Sequence, residues 1–213
     1  TTINAGTLVA ASSNAFGASA VNLNAGVLDL RYNGVVTLTS LAMLPNSSVT
    51  NSTSNSSLIV SQGSALANSI STNGTQTYNG PITLVGNTSL NTNNNNMVKF
   101  VSTVDGSPSN YGLTIGSGSG AVSFGSSVGS TDPLGYLTIV GLVAYPDAQT
   151  TSLNGDVNTN GSQSYGGNLS LNVPTINLNA NLSRNNSSVT ILGSASSYST
   201  GYSLGYNLLQ LLG

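Results

Sequence analysis

Five aspartates hold all the carboxylate chemistry of this chain: Asp29, Asp105, Asp132, Asp147 and Asp156. Glutamate, histidine and cysteine are absent, and the basic side chains are Arg31, Lys99 and Arg184. Clustered carboxylates can cleave polysaccharides, sometimes with a divalent cation and a basic residue beside them, but only when several converge on one face. Asp147 and Asp156 are nine residues apart, and no basic residue lies between Lys99 and Arg184. Each aspartate stands beside Gly or Pro or alternates within a strand-like stretch, as turn and solvated-face aspartates do. These residues predict no acid–base catalyst, and the chain is expected not to be an enzyme.

Two further spellings match catalytic motifs. GSSVG at Gly125–Gly129 fits the G-x-S-x-G elbow and would make Ser127 a nucleophile, but that triad needs a histidine base and the chain has none. GSGSGA at Gly116–Ala121 fits the dinucleotide pattern G-x-G-x-x-A, which works by leading into a helix whose N-terminus holds the pyrophosphate. Here AVSF follows, a strand, so the glycines predict a corner. Calcium-binding coils place an Asp in every G-G-x-G-x-D unit, and no such row exists. No cofactor and no metal is expected.

Candidate glycan acceptors in N-x-S/T sequons stand at Asn46, Asn51, Asn55, Asn73, Asn87, Asn168, Asn181 and Asn186. A chain this rich in Asn, Ser and Thr also generates that pattern by chance. Tyrosine rings can stack on sugars, which draws attention to Tyr78, Tyr165, Tyr198, Tyr202 and Tyr206. Tyr78 and Tyr165 recur at matching places in a repeat, which is a packing signature.

The elements that must position these residues follow from composition and period. Only 4% of residues are charged, against roughly 25% in ordinary soluble domains. The net charge of −2 gives no footprint for nucleic acid or an anionic membrane. Low-complexity disorder is one reading of so much Ser and Gly, but Val, Ile, Leu and Thr recur throughout, which disordered chains lack. The longest near-apolar stretch, YLTIVGLVAY at Tyr136–Tyr145, is too short to span a bilayer as a helix. No initiator Met and no signal-like opening is present, so the chain reads as a processed or excised piece.

Three echoes set the period. INAGTL at Ile3–Leu8 returns as LNAGVL at Leu23–Leu28, and VKFVSTV at Val98–Val104 returns as VSFGSSV at Val122–Val128. The longest pairs NSISTNGTQTYNGPITL at Asn68–Leu84 with GDVNTNGSQSYGGNLSL at Gly155–Leu171. Its offset of 87 is close to four units of 22, so it reads as a whole number of repeats. Alternation at Leu28–Leu30, Leu169–Leu171 and Ile176–Ala180 marks short strands, and the Asn-Ala-Gly step marks a corner. Units of 20–24 residues made of short strands cannot bury an apolar face alone; stacking them can. The expected fold is therefore all-β: a parallel β-solenoid of roughly ten coils, about 45–50 Å long at strand spacing. A β-sandwich explains the alternation but not the recurrent offsets. Leu8, Leu28, Leu30, Ile82, Leu84, Phe100, Phe124, Leu169 and Leu171 are expected in the stacked core, Phe100 above Phe124, with asparagines laddered at corners.

The phrases themselves resemble known repeats. The opening NAGTL and LNAGVLDL, with SVTNSTSNSSLIV at Ser48–Val60 as a polar strand pair, resembles bacterial autotransporter passengers. STNGTQTYNGPITL, VKFVSTVDGS, AVSFGSSVGSTDPLGYLTI and TTSLNGDVNTNGSQSY resemble filamentous-haemagglutinin-like adhesins, in a similar order. The resemblance covers residues 1–193. It implies a right-handed parallel β-helix, export from a Gram-negative cell, and an elongated stalk at the cell surface or in the medium. No β-barrel translocator and no secretion-signal cap is recognisable.

One solenoid segment is expected over 1–213, with clear repeats in 1–197 and a tail, 198–213, that matches them poorly. In that tail Tyr198, Tyr202, Tyr206, Leu208 and Leu211 are candidate cap or assembly contacts. Open solenoid ends expose strand edges, so adjacent segments of a longer chain, or like subunits end to end, are the expected partners. A host or neighbouring cell surface or a glycan is a further one; nucleic acid and membrane insertion are not. The expected function is structural and adhesive. An ice-binding or glycan-binding solenoid is the alternative; the ice reading predicts T-x-T rows, of which VTLTS at Val36–Ser40 supplies one pair. A polysaccharide-cleaving β-helix stands third.

Overall fold

A computed structural model describes residues 1–140, 149–172, 178–180, 189–191, 195–197 and 209–211, with side chains described up to residue 180. Among them there is no helix, and every strand pairs in parallel with the strand one coil above or below. The chain is a parallel β-solenoid of about eight turns. Each turn has three sides. The first face runs through Thr2–Ile3, Val21–Leu23 and Leu41–Met43, then the first halves of the long strands Ser64–Thr72 and Ile82–Thr92. It continues through Val104–Asp105 and Val128 to Val157–Thr159 and Leu178–Ala180. The second face runs from Thr7–Ala10 through Gly26–Leu30 and Ser47–Thr50 to Leu113–Gly116, Leu137–Val140 and Gln163–Tyr165. Eight strands from Val35–Leu38 to Ala195–Ser197 make the third.

Strand alternation explains the core. At Gln76–Tyr78, Val98–Phe100 and Val122–Phe124 the outer residues of each triplet point inward and the middle one outward. In-register stacking then makes columns of like side chains. Phe100 lies on Phe124 with ring centroids 5.0 Å apart, and Tyr78 extends the stack at 5.1 Å. Leu28, Leu30, Ile82, Leu84 and Leu169 are fully buried, Leu171 nearly so. Leu8, paired with Leu28, is only half-buried against the core.

The corners follow from the same stacking. Asn24 Nδ2 donates to Asn4 Oδ1 at 2.8 Å, and Gly26 adopts φ +97° directly above Gly6. A Cβ at Gly26 would run into the Gly6 carbonyl, so the glycine recurs for lack of room as well as for its backbone angle. A second ladder runs from Asn93 to Asn73 (3.0 Å) and from Asn73 to Asn51 (3.2 Å).

The 87-residue echo has a different meaning from the one its offset suggests. Gln76–Tyr78 lies on the third face, whereas Gln163–Tyr165 lies on the second. What recurs is a corner cassette, moved from the second-to-third corner to the first-to-second corner, and not a coil. In both copies a buried Gln is satisfied from within. Gln76 Nε2 donates to the Ile70 carbonyl, Thr72 Oγ1 and the Asn91 carbonyl (3.2, 3.2 and 2.8 Å), and Tyr78 donates to Gln76 Oε1 at 2.9 Å. Gln163 Nε2 donates to the Val157 carbonyl (3.0 Å) and Thr159 Oγ1 (3.4 Å), and Tyr165 to Gln163 Oε1 (3.0 Å). Thr72 and Thr159 in turn donate to the carbonyls of Gly74 and Gly161 across the turn. Burial pushes both phenols far above their ordinary value, and neither ring is available to a sugar.

Candidate functional site

Coil length varies along the rod, from 18 residues where Leu58 lies beneath Gln76 to 29 where Val122 lies beneath Thr151. Since the inward columns stay in register, the extra residues must leave the rod at corners. Insertions that collect on one side of a solenoid are where binding surfaces are commonly found. Two such loops, 106–112 and 129–136, sit one above the other where the first face turns into the second.

The loops brace each other. Gly106 N donates to the Asp132 carbonyl and Gly135 N to the Tyr111 carbonyl, at 2.7 and 2.8 Å. Asp105 Oδ1 accepts from Thr131 N at 2.8 Å and from the Ser130 hydroxyl at 3.3 Å, tying the lower coil to the upper loop. Tyr111 and Tyr136 are half-buried, and the Tyr136 ring lies over Gly112, where a Cβ would collide with it. The Gly112 amide is held by Asn87 Oδ1 at 2.9 Å. Asn110, at φ 56°, accepts from Asn160 of a later coil.

The upper loop leaves the first face at Gly129, whose N–H still pairs with the Val104 carbonyl, and rejoins at Leu134, which bridges to Thr159. In the next coil the corner is the tight Asn160-Gly161 turn. The loop therefore overhangs a step. Beneath it lies a cleft of about 310 Å³ lined by Gly129, Ser130, Thr131, Pro133, Asn158, Thr159, Asn179 and Ala180. On its floor Asn179 Nδ2 donates to Asn158 Oδ1 at 2.8 Å. A second depression, of about 370 Å³, crosses Ala42 and Ala65 on the first face, between Asn24 and the half-exposed Leu44.

The aspartates are spread out. Among the described residues no three acidic groups approach closely enough to hold a metal ion. Asp105 is a loop brace, and Asp147 lies outside the described residues. Asp29 differs from the expected solvated-face aspartate: it is 3% exposed, accepting from Arg31 Nε at 2.7 Å and from the hydroxyl and N–H of Ser52 at 2.8 and 3.1 Å. Burial pushes its carboxyl up, but the Ser52 hydroxyl, Arg31 and the Ser52 amide together hold it below the ordinary value. Alternation alone could not show that the next coil's corner would cover an outward residue.

Ser127 lies in the corner between the third and first faces, where its carbonyl accepts from Val104 N. GSGSGA leads into the strand Val122–Phe124, and Ser117 in it donates to the Gly120 carbonyl at 2.7 Å. Of the sequons, Asn46, Asn55 and Asn87 are exposed, whereas Asn51 is 8% exposed and the Asn73 amide is engaged by Ser54 and Asn51. Tyr198, Tyr202, Tyr206 and Leu208 lie outside the described residues; Leu211 ends the strand Leu209–Leu211.

One outer row escaped the sequence. Ser48, Ser69, Ser89, Thr114, Thr138 and Ser164 stack in register on the second face, six coils deep. Their spacing in sequence shifts with each change of coil length, which hides the period. On the third face Thr37 is followed by Ile59, Thr77 and Lys99, so the T-x-T pair of VTLTS is not continued.

No protein-family model matches the chain, and neither a curated protein nor a solved structure matches it.

Proposed function

We propose that this chain is a segment of an exported bacterial surface protein or extracellular fibre: a non-catalytic rod that serves as stalk and contact surface. The carrying observation is the three-sided parallel coil held by backbone ladders and stacked side chains, with loops extruded at one corner over two successive coils. Such a scaffold extends indefinitely by adding coils and displays loops at a fixed height along its axis. The resemblance of its repeats to autotransporter passengers and haemagglutinin-like adhesins supports a place outside a Gram-negative cell. The spread of the described aspartates supports a binding role over a hydrolytic one.

Antibodies against the chain should label intact, unpermeabilised source cells or fibres shed into the medium. Labelling that appears only after permeabilisation would reject the reading. Release of reducing ends from a polysaccharide panel, abolished by replacing all five aspartates, would convert the rod into an enzyme.

A further inference from the structure

The geometry points to the cleft beneath the Gly129–Pro133 overhang as a binding site for a neutral sugar unit, with Asn158 and Asn179 reading two adjacent hydroxyls. Because Asn179 Nδ2 donates to Asn158 Oδ1, among the described residues Asn158 Nδ2 is left to donate and Asn179 Oδ1 to accept. A vicinal diol offers the complement, one hydroxyl accepting and its neighbour donating. The wall adds the exposed hydroxyls of Ser130 and Thr131. The Ser130 hydroxyl donates to Asp105 Oδ1 at 3.3 Å, which leaves the oxygen's lone pairs to accept. Thr131 is fixed through its backbone N–H on the same oxygen, at 2.8 Å. Pro133, partly exposed on the overhang, supplies the apolar surface that a sugar's C–H face requires.

Size and charge narrow the class. At about 310 Å³ the cleft is at the small end of small-molecule sites, which begin near 300 Å³. It fits one sugar unit of a longer chain better than an extended peptide. Among the described residues no basic side chain lines it, and Asp105 stands behind Ser130 and Thr131, which favours neutral sugars over sialic and uronic acids. The proposal rests on reading the rod as a binding element and gives that element a ligand class.

Amide stacking alone does not make the site. Asn24 donates to Asn4 across 2.8 Å in the same way, at the edge of the depression over Ala42 and Ala65 and on a lean corner without inserted residues. This supplies the control. Ligand-observed saturation-transfer NMR on the full 213-residue chain would use glucose, galactose, N-acetylglucosamine, N-acetylgalactosamine and N-acetylneuraminic acid as probes. At least one neutral sugar should give a signal, and N-acetylneuraminic acid none. Asn158→Ala with Asn179→Ala should weaken binding about tenfold or more, as loss of paired hydrogen-bonding groups does. Asn4→Ala with Asn24→Ala should leave it unchanged. Silence from every neutral sugar, equal loss in both double variants, or a signal from the acidic sugar alone overturns the proposal. Circular dichroism of each variant, rich in β-structure, separates failure of the site from failure of the rod.

Discussion

The coils up to Phe100 and those from Phe100 to Thr151 solve the same packing problem with different amounts of chain. Before Phe100 the register steps are short: Ile3 beneath Leu23, Leu58 beneath Gln76, Tyr78 beneath Phe100. From Phe100 to the coil of Thr151 they lengthen, with Phe100 beneath Phe124, Leu137 beneath Gln163 and Val122 beneath Thr151, and then the step from Thr151 to Leu169 is short again. The inward columns do not notice, because a parallel ladder fixes only which residues face each other. The surplus is extruded at corners, and that is where the braced loops and the cleft arise. Coil length on this rod is the variable that separates lean corners from looped ones.

The two regions meet at Phe100, whose ring lies between Tyr78 below and Phe124 above. Phe100→Ala should therefore uncouple them, at a cost of about 3–5 kcal/mol. Urea unfolding followed by circular dichroism reads the loss; two resolved transitions in place of one would show the halves behaving as separate units. A cost under 1 kcal/mol, with no change in cooperativity, would mean that the stack does not join them.

The shared corner cassette gives the next test. Tyr78→Phe in the lean region and Tyr165→Phe in the loop-bearing region each strand a buried Gln oxygen. Each should cost about 1–3 kcal/mol, and by similar amounts. A large cost at one and none at the other would end the equivalence of the two cassettes. A degraded copy stands at Gln149-Thr150-Thr151, where a threonine takes the place of the tyrosine. There Gln149 Oε1 and Thr151 Oγ1 are buried without a hydrogen-bond partner. Thr151→Val removes one orphan and should raise stability by about 1 kcal/mol, measurable as a shifted urea midpoint.

Acid should act chiefly on the lean region. The Asp29 carboxyl is held below its ordinary value of 3.8, so its contribution is complete above that value and is lost as pH falls through the lower, folded value. Asn at position 29 should remove that part of the acid sensitivity, leaving the profile above pH 5 or so flat. The smallest effect belongs to the loops. Asp105→Asn should speed amide exchange at Thr131 without shifting the midpoint of global unfolding; slower or unchanged exchange would show that the brace is not the carboxylate.

Much of the fold was legible in the residues. The NAGTL and NAGVL echo locates a corner because Asn must stack on Asn and Gly on Gly, and Ile3 over Leu23 follows from it. V-x-F-x-S-x-V locates the Phe stack for the same reason. The site was less legible. Asp105, Ser130 and Thr131 meet across 25 and 26 residues, and the Asn158–Asn179 pair spans 21, within coils whose lengths differ. No local pattern records those meetings. The available signal was the widening interval between successive strand phrases from Phe100 to Thr151.

By itself the sequence determined that this chain stacks: alternation, corner glycines and repeated phrases leave a parallel coil as the way to bury the apolar face. It also determined the chemical poverty of the surface, with few charges and no histidine. Tertiary structure alone decided which corner each phrase occupies, that Asp29 is covered, that six hydroxyls form a row, and that two loops overhang a step. The reason is physical. Local residues set strand and turn, whereas lateral neighbours are set by coil lengths accumulated along the chain, and each added residue moves every outward group that follows.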